Sequence, residues 1–319
     1  MARTVQSLKI GSHTLQISNV DKALWPRDGY TKGDLIAYYR NVARWLLPYL
    51  KDRPLTLQRW PDGIEHQSFF EKDAPRGTPE WVKTVSLPSG GKRTTVRYVV
   101  CNDEATLVFV ANLAAITLHV WTSRLGSLDY PDFVLFDLDP WEGCTLKTLA
   151  AVALHVRKAL EDLELAPLVK TSGGTGLHVI LQLAPKYDYD SVKAFAEMVA
   201  RRVADTNQDK VTLERMTRKR PRGTVYIDWV QVGKGKTIVP PFVVRARPGA
   251  PVSMPLGWSA VESMARKSVR DPLREFANWT MRNVPSLLQK HGDPWHAAGR
   301  KKHNLEAALR KARKAWREP

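Results

Sequence analysis

Three aspartates have the spacing on which metal-assisted chemistry could be built. Asp137 and Asp139 follow the apolar run Phe133-Val-Leu-Phe136 and stand two positions apart. In an extended chain both side chains leave the same face, separated by roughly two rises of about 3.3 Å. Carboxylates held that close raise each other's pKa unless a cation compensates, and shared metal ions are what such pairs commonly bind. An isolated D-x-D at a strand end is more often plain solvated loop chemistry. Asp228 changes that balance, because it stands inside Val225-Tyr-Ile-Asp-Trp-Val230, where an ionised carboxylate is costly unless paired or metal-bound. A third ligand is the economical reading.

Between these carboxylates lies Ser172-Gly-Gly-Thr-Gly-Leu-His178, flanked on both sides by strand-like sequence. Gly173, Gly174 and Gly176 permit a sharp turn that exposes backbone N–H groups, which suits phosphate oxygens. Ser172 and His178 could add hydrogen bonds to a triphosphate, and a turn of purely geometric purpose is the competing reading. Gly235-Lys236-Thr237 has the ending of a Walker A loop, but the required glycine five places earlier is Val230, so a standard P-loop is excluded. Ser172 lies in no G-x-S-x-G elbow, which argues against a Ser-His-Asp hydrolase. Arg215, Arg218, Lys219, Arg220 and Arg222 precede Asp228, and Lys234, Lys236, Arg245 and Arg247 follow it. One or two of them are expected to neutralise a triphosphate, since phosphoryl transfer depends on charge stabilisation.

The elements that must position these groups can be read from periodicity. Thr31 is placed to cap a helix in which Leu35, Tyr38, Tyr39, Val42, Trp45 and Leu46 recur at helical spacing until Pro48 interrupts, with Lys32 in its first turn. Phe133 to Phe136 reads as a buried strand that Pro140 closes off. Leu146, Leu149, Val152, Val156, Leu160 and Leu163 form one helical stripe. Leu168 to Thr171, Leu177 to Leu183 and Val225 to Val232 read as strands, and Asp190 as the cap of a helix through Val203. The expected class is mixed α/β (α+β), with a central mixed or antiparallel sheet flanked by helices. From Arg300 to Pro319 a basic amphipathic helix is expected, packing Leu305, Leu309, Ala312 and Trp316 on the body.

The 319 residues carry a formal charge of +17 with 43% hydrophobic residues, a globular chain attracted to polyanions, with nucleic acid the natural candidate. Nothing approaches the roughly 20 apolar residues of a membrane span, and MARTVQSLKI is no secretory signal, so no membrane partner and a cytosolic location are expected. The two cysteines, Cys101 and Cys144, form no CxxC pair and read as core residues.

With Asp137-Leu-Asp139-Pro140, Ser172-Gly-Gly-x-Gly-Leu-His178 and Asp228 in that order, the chain resembles the archaeo-eukaryotic primase superfamily. Within it the chain is most similar to the polymerase domain of bacterial ligase D, the enzyme of non-homologous end joining. Asn19-Val-Asp-Lys-Ala-Leu-Trp-Pro26, Thr31-Lys-Gly-Asp34, Arg53-Pro-Leu-Thr-Leu-Gln-Arg59, Phe69-Phe-Glu-Lys-Asp-Ala-Pro75 and Val244-Arg-Ala-Arg-Pro-Gly-Ala-Pro251 carry the same likeness, which runs up to Trp295. The resemblance implies a primase-polymerase fold over 1–295, with a portion for template and 5′-phosphate at about 1–125 and a metal-binding portion at about 126–295, followed by the basic helix at 296–319.

It also implies roles. Asp137, Asp139 and Asp228 would be the catalytic ligands of two Mn²⁺ or Mg²⁺ ions. Ser172, Gly173, Gly174, Gly176 and His178 would hold the nucleotide triphosphate, with Lys236 and Arg245 as helpers and His119 against the sugar. Asn19, Lys22 and Lys32 would take the 5′-phosphate downstream of a gap. A lysine in the first turn of a helix, joined to free N–H groups and the positive end of the dipole, agrees with that role. Phe69 and Phe70 would stack on the template. Thr175 stands where the family often has Lys, and Asp228-Trp-Val-Gln-Val replaces the more familiar aspartate-tyrosine-leucine-glutamine-asparagine; metal binding is untouched by either.

The implied activity is addition of nucleotides, preferably ribonucleotides, to a 3′ end at gaps or broken DNA ends bearing a 5′-phosphate. The implied partners are such DNA, NTP or dNTP substrates, a separate ATP-dependent DNA ligase and Ku, in the bacterial cytosol and nucleoid. A stand-alone chain without ligase or nuclease modules is expected. The competing classes are a metal-dependent nuclease or phosphodiesterase, a D-x-D glycosyltransferase, and a non-catalytic nucleic-acid-binding module.

Overall fold

Residues 5–88, 95–267, 269–296 and 301–316 are described by a computed structural model. The chain forms two units: the first gathers residues 1–125, 237–253 and 279–292, the second residues 126–236, 254–278 and 293–319.

The first unit begins with an antiparallel hairpin of β1 (Val5–Ile10) and β2 (His13–Ser18). A second pair, β3 (Ala23–Trp25) and β4 (Tyr30–Thr31), leads into α1 (Lys32–Leu50). Thr31 and Asp34 form a capping box: the Asp34 N–H donates to the Thr31 hydroxyl, and the Thr31 N–H donates to the Asp34 carboxylate. Leu35, Tyr39, Val42, Leu46 and Leu50 line the buried stripe. Pro48 does not end this helix. It lies so near the C-terminus that its missing N–H costs a single bond, and burial of Leu50 holds the last turn in place. The strands β5 (Leu55–Arg59) and β6 (Phe69–Glu71) pair antiparallel, as do β7 (Thr84–Pro88) and β8 (Thr95–Val99). After α2 (Glu104–Asn112), capped by Asp103, β9 (Ala115–Trp121) pairs with β5.

The second unit is built on β10 (Phe133–Pro140), α3 (Leu146–Glu161), β11 (Leu168–Thr171), β12 (Leu177–Gln182), α4 (Tyr189–Asp205), β13 (Val211–Thr212) and β14 (Val225–Asp228). Three boundaries differ from the sequence reading. β10 runs through both aspartates to Pro140, because residues 137–140 are paired on β14. The cap of α4 is Asp188, whose carboxylate accepts from the Ser191 N–H, and not Asp190. β14 stops at Asp228, because the carboxylate takes the Val230 N–H and turns the chain.

The chain then returns to the first unit as β15 (Thr237–Ile238), which pairs with β9 to complete the order β15-β9-β5-β6. In the second unit β16 (Pro255–Leu256) closes a six-stranded sheet of order β13-β14-β10-β12-β11-β16. Every pair in it is antiparallel except β13 with β14. The helices α5 (Trp258–Met264), α6 (Pro272–Phe276), α7 (Val284–His291) and α8 (Leu305–Ala315) follow. Leu305, Ala308 and Ala312 of α8 are buried, and Glu306 pairs with Lys186. The helix expected at 296–319 is thus shorter, and both ends of that segment, 297–300 and 317–319, lie outside the described residues. Among the described residues no helix is long and apolar enough to cross a membrane, and Cys101 and Cys144 are buried free thiols.

Candidate active site

The interior strand β10 carries the acidic pair, and its two neighbours supply the rest. Asp137 stands opposite His178 of β12 on one side and Asp228 of β14 on the other, while Asp139 stands opposite Tyr226. Directly opposed residues leave the same face of a sheet, so all five side chains share one face. The alternate residues Val134, Phe136 and Leu138 are fully buried on the other. His178 Nε2 is 3.2 Å from Asp137 Oδ1. Asp228 Oδ1 accepts from the Val230 N–H at 3.0 Å and Oδ2 from Gln231 Nε2 at 3.0 Å. Burial, and then the negative charge of Asp228, pushes the Tyr226 hydroxyl up to about 12, so it stays protonated. The Arg220 guanidinium lies 3.9 Å from the centre of the Tyr226 ring, which brings one member of the basic cluster to the carboxylate face.

The glycine turn is held tightly against this strand. The Ser172 N–H donates to Gly176 O at 2.9 Å, and the N–H groups of Gly174 and Gly176 both donate to Ser172 Oγ at 3.1 Å. Two of the amides expected to face a phosphate therefore converge on the serine instead, because its hydroxyl is the nearer acceptor. Gly173 has φ +72°, and a Cβ on Gly176 would fall 2.4 Å from the Leu138 carbonyl oxygen and 3.6 Å from Asp139 Oδ1. Only glycine permits that approach.

The donor set has the chemistry of a divalent cation site: hard carboxylate oxygens, two of them cross-strand partners whose like charges repel without a cation. The glycine cradle brings a polar turn beside the same oxygens. Yet among the described residues no three Asp, Glu, His or Cys groups close into a ready-made metal site. Asp228 is turned towards Gln231 and Asp137 towards His178, so closure on an ion requires these side chains to rotate.

In the first unit, Asn19, Lys22 and Lys32 meet at the start of α1. Asn19 takes a left-handed backbone at φ +51°, and carbonyls of the turn after it accept from the first amides of the helix. Lys32 N–H bonds Lys22 O at 2.8 Å and Gly33 N–H bonds Val20 O at 2.8 Å. Together with the Thr31 cap these occupy the first amides of the helix, so the free N–H groups expected there are already satisfied. Lys32 is only 5% exposed, and its ammonium donates to Asn112 Oδ1 at 3.0 Å, Asn112 O at 3.1 Å and Ser18 Oγ at 3.4 Å. Lys22 is more exposed and pairs with Asp62 at 2.7 Å.

Elsewhere in this unit, His119 of β9 places Nε2 3.5 Å from Gln58 Oε1 and its ring edge-on to Phe70 at 5.4 Å. Burial, and then the charge of Arg245, lowers its pKa to about 3, so the ring is neutral. Phe69 and Phe70 are 44% and 60% exposed on the edge strand β6. Arg59 pairs with Glu71, with its guanidinium 5.2 Å from the Phe69 ring centre. Lys236, in the second unit, donates to Val230 O and packs over Gly233, serving the turn after Asp228.

Residues 31–295 match the family of the LigD primase-polymerase domain. The chain belongs to that family. The multifunctional non-homologous end joining protein LigD of Mycolicibacterium smegmatis is 32% identical over 80% of this chain and 34% of its own length. The bifunctional non-homologous end joining protein LigD of Bacillus subtilis is 28% identical over 92% of this chain and 46% of its own length. The chain thus spans a third to a half of these relatives. Among solved structures, the polymerase domain of Mycobacterium tuberculosis ligase D in complex with DNA superimposes with a TM-score of 0.80 at 29% identity, covering 91% of this chain and 99% of that one.

Membership places the chain among polymerase-type nucleotidyltransferases, and the mixed α/β architecture is that of the LigD polymerase domain. Several residues that contact these side chains were not singled out in the sequence. Asn112 and Ser18 hold Lys32 from 80 and 14 positions away, a pairing that no local pattern encodes. Gln231 sits three residues after Asp228, and its spacing alone could have marked it. Tyr226 could have been found from alternation, as the residue two before Asp228 on the same face.

Proposed function

We propose that this LigD-type domain repairs DNA by adding nucleotides, preferably ribonucleotides, to a 3′ end at short gaps or broken ends that carry a downstream 5′-phosphate. The observation that carries this reading is the cross-strand row Asp228, Asp137, His178 with Asp139 on the same face. Asp137, Asp139 and Asp228 would hold two Mn²⁺ or Mg²⁺ ions, which when bound polarise the α-phosphate and lower the pKa of the attacking 3′-hydroxyl. Ser172, with two amides already donating to its oxygen, directs its hydroxyl proton to a phosphate oxygen. Gly173, Gly174 and Gly176 give the turn its close approach, and His178 donates from Nε2 once Asp137 has turned away. Arg245 and Lys236 add positive charge, and His119, held neutral, packs on the sugar.

Asn19, Lys22 and Lys32 would receive the 5′-phosphate, and Phe69 and Phe70 would stack on the template. Lys32 adds a fixed positive charge to this corner, its ammonium held by Asn112 and Ser18, and Lys22 is the more exposed of the two. A separate ATP-dependent ligase and Ku would act on the same DNA in the bacterial cytosol and nucleoid. A nuclease, a glycosyltransferase or an inactive binding module would not extend a primer.

The deciding experiment gives a labelled primer on a gapped template with a downstream 5′-phosphate, Mn²⁺ and nucleotides to wild type, Asp137→Ala and Asp228→Ala. Wild type extends by one or a few nucleotides, and both variants are slower by at least about a thousandfold. Shortening of the primer, or equal extension by either variant, overturns the reading. The same assay on two broken ends separates end joining from gap filling.

A further inference from the structure

The row on the carboxylate face does not stop at His178. In β11, Lys170 stands directly opposite His178, so the face reads Asp228, Asp137, His178, Lys170 across four adjacent strands. Lys170 is 0% exposed, and its Nζ lies 3.3 Å from the Thr171 carbonyl oxygen. A buried ammonium is expensive unless negative charge lies near. Its row partners carry such charge: two strand spacings put Lys170 roughly 10 Å from Asp137, with the imidazole between them. The neighbouring residues on that face of β11 and β12, Leu168 and Ile180, are apolar and buried, so an uncharged side chain would suit packing alone.

We propose that Lys170 is the built-in counter-cation of the carboxylate row: it offsets the repulsion between Asp137 and Asp228 before metal binds, and thereby weakens the hold of the row on divalent ions. The inference rests on the reading of Asp137, Asp139 and Asp228 as metal ligands. Lys170 touches no substrate; it acts through the charge it places in the sheet. A row with this cation binds metal loosely enough for the ion to arrive with the nucleotide, whose phosphates supply the remaining negative charge.

The test is Mn²⁺ binding to the whole chain, followed by electron paramagnetic resonance without nucleotide or DNA, in wild type and Lys170→Met. Loss of one charge at that distance should tighten Mn²⁺ binding by about tenfold. A purely structural role predicts unchanged or weaker binding, and either result overturns the proposal. If wild type binds no Mn²⁺, the metal reading falls and this inference with it; if wild type binds and Lys170→Met binds equally, this inference alone falls. Should Lys170→Met fail to fold, the double variant Lys170→Met/Asp228→Asn, which restores the charge balance, is expected to recover the circular dichroism spectrum of wild type. A double variant that stays unfolded overturns the proposal.

Discussion

Two lysines at the start of α1 look alike in sequence and differ in physical role. Lys32 is buried among Asn112 and Ser18, whereas Lys22 is more exposed, paired with Asp62. Lys32→Ala should cost about 1–3 kcal/mol in urea unfolding, because it strips a charged donor from buried acceptors. Lys22→Ala should cost at most about 1 kcal/mol. Both changes together should erase the preference for a phosphorylated over an unphosphorylated gap while open-template extension persists, and an intact preference would remove the pocket from this corner. The carboxylates stood out in the sequence because Asp228 ends an otherwise apolar strand, where it is part-exposed rather than buried, and D-x-D fixes a shared face. The free helix amides expected beside Lys32 are not there, since their satisfaction depends on the turn Asn19 to Lys22 folding back over them.

Among the elements, the glycine turn between β11 and β12 couples most directly to the acidic strand. A methyl group on Gly176 would meet a backbone carbonyl of β10 rather than a side chain that could move aside, so Gly176→Ala must push the turn or the strand away. The expected result is a loss of at least about 1 kcal/mol in stability together with slower nucleotide addition, whereas the same change at Gly77, which has open space, alters stability only through its positive φ. Unchanged activity in Gly176→Ala would separate the turn from the site. Elements with clear periodicity, such as α3 and the strands flanking the glycines, were readable because their alternation reports burial. Ends were less so: Asp188 and Asp190 are both plausible caps, and only the Ser191 amide decides between them.

At the scale of the molecule, the chain leaves the first unit after Leu125, forms most of the second, and returns twice to the first, at 237–253 and 279–292. The first return carries no local signal in the sequence, because β15 is two residues long and derives its place from its partner β9; β16 is equally short and owes its place in the second unit to β11. The charge of +17 was legible at once. It predicts that affinity for gapped DNA, measured by fluorescence anisotropy, falls at least about tenfold between 50 and 200 mM salt; a flat response would mean that the basic residues do not meet phosphates. The second unit also decides how its chemistry is protected. The acidic strand is bonded on both sides within a six-stranded sheet, with the apolar side chains of its other face in the core. Its amides can meet solvent deuterium only when that sheet comes apart, which places Asp137 and Asp139 on the slowest-exchanging kind of backbone and leaves local breathing to the turns around them.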